Sequence, residues 1–145
     1  MSLLSDDSAV MVKTRELCAT IAEDATFQAL TDRVEAFLEN DEARLQYQAV
    51  NEKGEELHQK QHSGIELSAR EIKEFEEARD ALLANNVARS FLEAQRELET
   101  LQRSIGKYVG LTLELGHVPT AEDFAEAQGG GCCGGSGGGG CGCGC

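Results

Sequence analysis

The chain has 145 residues and a formal net charge of −13. A body this acidic repels phosphate backbones, and no Lys/Arg cluster marks a membrane-facing patch, so direct nucleic-acid binding and membrane association are not expected. No apolar stretch is long enough to span a bilayer. The start, Met1-Ser2-Leu3-Leu4-Ser5-Asp6-Asp7, lacks the basic and long apolar regions of a secretory signal, which predicts a cytoplasmic protein.

One Pro, no Trp and abundant Glu, Ala, Leu and Gln favour helix throughout the body, and no strand-like alternation competes. A first helix is predicted from near Ser8 to about Glu23, with Leu17 and Ile21 on one face and Cys18 as a small half-buried neighbour. Asp24-Ala25-Thr26 reads as a break, with Thr26 as the next N-cap. In the second helix Phe27, Leu30, Val34 and Phe37 follow steps of 3, 4 and 3. Asn40-Asp41 opens a third helix with Ala43, Tyr47, Val50, Gly54 and Leu57 on one stripe, where Gly54 permits close approach of another backbone. This helix is predicted to finish near Gln61, before the Ser63-Gly64 stop signal. Ser68-Ala69-Arg70-Glu71 matches a capping box and starts a fourth helix with Ile72, Phe75, Ala78 and Leu82 inward.

After Asn85-Asn86 comes the clearest pattern. Ala84, Val87, Phe91, Ala94, Leu98, Leu101, Ile105, Tyr108, Thr112 and Leu115 recur in alternating steps of 3 and 4, a heptad-like seam. A helix from about Val87 to Leu115 is about 40 Å long at 1.5 Å per residue. The helices between Thr26 and Gln61 are its expected partners, giving an elongated helical hairpin whose apolar edges call for self-association or pairing with a related helical protein. Gly116-His117-Val118-Pro119 ends it. Thr120-Ala121-Glu122-Asp123 then starts a short helix to about Gln128, with Phe124 as a docking residue. The expected architecture is all-α: a bundle of about five helices over 1–128 and a disordered Gly/Cys-rich tail over 129–145.

Five of the six cysteines lie in that tail, as Cys132, Cys133, Cys141, Cys143 and Cys145. Thiolates are soft ligands for zinc, Cu(I) and iron–sulfur clusters, and four complete a tetrahedral zinc site or a [4Fe–4S] cluster. The surrounding glycines reach the backbone angles needed to wrap closely spaced ligands around one centre. Metal or cluster binding is therefore the leading expectation, with thiol exchange at vicinal Cys132-Cys133 as an alternative. Two further features read as solvated surface. His58 and His62, four apart, lack a third ligand between them. The run Glu71, Glu74, Glu76, Glu77 and Asp80 lacks the His spacing of a di-iron site and is tempered by Arg70, Lys73 and Arg79. No nucleophile elbow, Walker A loop or Ser/His/Asp constellation is present, so no enzyme is expected.

The body resembles the YlbF/YmcA family of small helical bacterial regulators. The resemblance rests on Phe27-Gln28-Ala29-Leu30, on Asn40-Asp41-Glu42-Ala43 and on the Gly64-Ile65-Glu66-Leu67-Ser68 connector before a Glu-rich helix. It also rests on Asn85-Asn86-Val87-Ala88-Arg89-Ser90-Phe91-Leu92-Glu93-Ala94, and it covers about Val10 to Gly116. It implies an all-helical, oligomerising, non-enzymatic regulator that works with partner proteins in competence, sporulation, biofilm formation and RNA processing through an endoribonuclease. Some complexes of the family hold [4Fe–4S] clusters through cysteines, so the resemblance ranks iron–sulfur above zinc for the five tail thiols.

Overall fold

The computed structural model describes residues 2–129. Among these residues there are six helices and no strand: α1 (Ala9–Glu23), α2 (Ala25–Glu39), α3 (Asp41–His62), α4 (Ala69–Ala84), α5 (Asn86–Leu115) and α6 (Ala121–Gly129). The chain divides into two compact units, one reaching to Thr100 and one beginning at Leu101, with α5 running through the boundary.

Single Asp or Asn residues set three of the helix junctions. Asp24 ends α1 by donating its N–H to the Ile21 carbonyl, and starts α2 by accepting the Phe27 N–H at 3.0 Å. Asn40 does the same between α2 and α3, accepting from the Ala43 N–H at 2.8 Å. At the third junction Asn85 Oδ1 accepts from Val87 N–H and Ala88 N–H, while its Nδ2 donates 3.0 Å to Gln46 Oε1 of α3. A short side chain that mimics a backbone acceptor lets one extended residue serve both helix ends. The expected cap at Thr26 is corrected to Asp24: a carboxylate meets the positive end of the helix, and Thr26 falls inside the first turn.

The α3–α4 connection is a Schellman turn. Gly64 adopts φ 72°, its N–H bonds the Gln61 carbonyl, and the Ile65 N–H reaches back to the Lys60 carbonyl at 2.9 Å. Ser68 and Glu71 then form the predicted capping box. The turn folds α4 antiparallel against α3. A methyl group added at Gly54 would sit 3.3 Å from Phe75 Cε2, so Gly54 sets the closeness of this hairpin. Ile72, expected inward, is exposed instead. Glu71, Phe75, Ala78 and Leu82, at steps of 4, 3 and 4, take the inner face, and at the first turn the place belongs to Glu71, bonded to Lys60 of α3.

The core of the first unit consists of Leu30 and Phe37 from α2, Ala43 from α3, Leu82 from α4, and Ala88, Phe91 and Ala94 from α5. Phe91 stacks flat on Phe37 with ring centroids 3.8 Å apart, and Tyr47 meets both rings edge-on at 5.6 and 5.7 Å. The long helix thus joins α2 and α3 through its first turns. The close hairpin of this unit is built by α3 and α4. Helix α1 buries no residue, and Cys18, expected to be half-buried, is exposed on it. Of the residues of α1 only Met11 and Ile21 are even half-buried, so little covers the helix at Cys18.

In the second unit Gly116, at φ 76°, terminates α5, and the connector through buried Pro119 turns the chain into α6. Thr120 caps α6: Asp123 accepts from the Thr120 N–H at 2.7 Å and from its hydroxyl at 3.0 Å, as the sequence predicts.

Candidate interaction surface

The apolar seam of α5 changes character along its length. Phe91 and Ala94 are buried and Leu98 is half-buried, whereas Leu101, Tyr108 and Leu115 are exposed. Two residues beside the seam that periodicity alone did not single out, Val109 and Leu113, are 54% and 79% exposed. Their signal was present in the sequence as the second apolar row Leu101, Ile105, Val109, Leu113 at steps of four. Among the exposed apolar residues of this unit, Val118 adds to the same end of the chain. An apolar helix face left open to water is unfavourable by about 25 cal/mol for each Å² that could be buried, which makes it the candidate surface for association.

Charge favours the same stretch. Between Leu101 and Leu115 stand Arg103 and Lys107 against Glu114, in a chain whose formal charge is otherwise strongly negative. Both cations stand two residues after a seam member, so they temper the charge of this segment from outside the apolar row.

The other candidates are surface features. His58 and His62 lie with ring centroids 6.2 Å apart on the exposed side of α3, and among the described residues no group of three His, Cys, Asp or Glu side chains converges. The acidic run of α4 is largely spent on ion pairs: Glu71 with Lys60, Glu74 with Lys53 at 3.9 Å and Arg70 at 2.9 Å, and Glu77 with Lys73 at 3.8 Å. Grooves such as that between Asp32, Arg33 and Ala36 of α2 and Asn86, Val87 and Ser90 of α5 are open to solvent rather than enclosed. No helix is long and apolar enough to cross a membrane among the described residues. Cys132, Cys133, Cys141, Cys143 and Cys145 lie outside the described residues.

Two carboxylates are held below their ordinary range. The Lys60 ammonium, followed by the Ser68 N–H and hydroxyl, lowers Glu71 to about 2, and the same bond raises Lys60. The Thr120 N–H, then its hydroxyl, lowers Asp123, helped by His117 at 3.3 Å. Because the folded state depresses Glu71, its contribution to stability is complete above pH 4.5 and is lost as pH falls from there to about 2. Urea titrations of wild type and Glu71→Gln should therefore differ most above that window and converge within it. A difference independent of pH would show that the ion pair does not tie α3 to α4.

These features define an all-helical protein whose described residues present open surface. The family described as control of competence regulator ComK, YlbF/YmcA, matches residues 10–114, and the chain belongs to that family. No curated protein and no solved structure matches the chain. The matched span contains α5 almost to its end and stops before α6 and the cysteine tail.

Proposed function

We propose that this chain is a non-enzymatic regulatory adaptor in competence control, and that it acts by associating with a second copy of itself along the distal half of α5. The single observation that carries this reading is the seam from Leu101 to Leu115, of which Leu101, Tyr108 and Leu115 are exposed and Ile105 and Thr112 half-buried. Its alternating steps of 3 and 4 are those of a helix face that packs on another of the same kind. A related helical chain with the same periodicity would use the same ground. The strong negative charge supports protein partners over direct contact with nucleic acid.

The reading includes the tail. Cys132, Cys133, Cys141, Cys143 and Cys145 supply five soft donors, enough for a [4Fe–4S] cluster, with zinc or Cu(I) as the alternative occupants. Such a centre would give the adaptor a response to redox or metal status, and these thiolates would hold it.

Sedimentation of wild type against the double variant Leu101→Glu, Leu113→Glu tests the association. Wild type is expected to sediment as a dimer or larger species. The variant should be at least about tenfold weaker in association, since each buried leucine contributes roughly 1.5–3 kcal/mol, with an unchanged helical circular-dichroism spectrum. A wild-type protein that stays monomeric at every concentration, or a variant that associates equally well, overturns the reading.

A further inference from the structure

We infer that α6 is an autoinhibitory strap: folded back on α5, it seats Phe124 on the seam residue Tyr108 and so restricts access of a second copy to the same face. The inference rests on the association reading above and adds the element that limits it.

The strap is assembled by local chemistry. Gly116 in the left-handed region stops α5, and a connector of residues 116–120 reverses the chain into a short helical hairpin. The ring of Phe124 then lies edge-on to Tyr108, with centroids 4.5 Å apart and planes at 70°, and the Lys107 ammonium sits 5.4 Å from the Phe124 centroid. His117 Nε2 and the Thr120 cap both meet Asp123, which fixes where α6 begins.

The place of docking matters. Tyr108 stands between Ile105 and Thr112, in the middle of the distal seam, so a helix laid along Leu101 to Leu115 must cross the ground that Phe124 occupies. Helix α6 carries Glu122, Asp123 and Glu126 and no basic residue. An acidic second copy approaching this end therefore meets like charge from α6.

The strap is also weak enough to leave. Nine residues fall short of the roughly 12–15 at which an isolated helix holds in water, so α6 depends on its contact with α5. That contact is slight: Phe124 is half-buried, and Tyr108 beneath it remains 53% exposed. Against this, the short connector gives α6 an effective concentration on the order of mM at its site, which a second copy must exceed or outbind.

The test uses the full chain with Phe124→Ala, which removes the anchor, and Phe124→Leu, which keeps an apolar one. Hydrogen exchange across residues 105–128 reports release of the strap, and sedimentation equilibrium reports association. Phe124→Ala is expected to speed exchange in α6 and to tighten self-association by about tenfold, the consequence of removing roughly 1.4 kcal/mol of competition. Phe124→Leu should fall near wild type. If wild type associates and the released Phe124→Ala variant associates equally or less tightly, the association reading stands and the strap is overturned. If neither protein associates at any concentration, the association reading itself fails and the strap with it.

Discussion

Phe91→Ala is expected to cost about 3–5 kcal/mol of stability, the range for deleting a buried aromatic ring. The ring is 6% exposed, lies flat against Phe37 and receives the edge of Tyr47. Its buried neighbours include Ala43 and Ala88, whose single methyl groups cannot extend into the space a missing ring leaves. Seven hydrophobic residues form the buried core of the described chain, and three of them are alanines. The loss is therefore a large part of the roughly 5–15 kcal/mol available to a domain of this kind. It falls where α2, α3 and α5 meet. Urea unfolding should show a much lower midpoint, or a body that no longer unfolds cooperatively. Leu113→Ala is the matched control: this side chain is 79% exposed, and its removal should change monomer stability by no more than about 0.5 kcal/mol. A Phe91→Ala protein within 1 kcal/mol of wild type would mean that the aromatic stack does not hold the first unit together.

The helix boundaries were legible because they are local chemistry. Ser8, Asn40, the Ser68–Glu71 box, Asn85 and the Thr120–Asp123 cap each depend on a side chain and a backbone group within three residues. The one displaced cap, Asp24 for Thr26, lies in a stretch where two good capping residues stand two apart, and which one wins is set by where the preceding helix ends. Burial was less legible. The steps of 3 and 4 identify one face of α5 from Val87 to Leu115 but not what covers it; Ala84, the first member of the predicted seam, ends α4 instead, and burial stops at Ala94 while the pattern continues. Periodicity is a property of one helix, whereas burial belongs to two. Cys18 and Ile72 were misplaced for the same reason. The Lys60–Glu71 pair has a signal in the sequence: Lys60 and Glu71 flank the Ser63–Gly64 turn at distances that an antiparallel hairpin brings together.

The tail carries the second large effect. Serine in place of Cys132, Cys133, Cys141, Cys143 and Cys145 together should abolish cluster or metal loading while leaving helicity and association near wild type. Serine keeps the size of cysteine but removes the soft thiolate, and the body offers no substitute: among the described residues no three ligand-type side chains converge, and Cys18 stands alone on α1. Five donors exceed the four that a tetrahedral zinc or a [4Fe–4S] cluster needs, so single replacements should be partly tolerated, whereas replacing two leaves three and should reduce loading sharply. Protein isolated without oxygen, analysed for iron, sulfide, zinc and copper and for visible charge-transfer absorbance, separates the occupants. Iron with sulfide that vanishes in the five-serine variant supports a cluster. Zinc or copper alone supports metal handling. Wild-type protein that contains no metal and takes up none when iron, zinc or Cu(I) is supplied would remove the tail from the proposed function. Metal retained by the five-serine variant would place the ligands on the helical body instead. Deleting residues 129–145 should reproduce the loss without reducing helical content per residue of the body, because the buried residues from Leu30 to Ala94 come from α2, α3, α4 and α5.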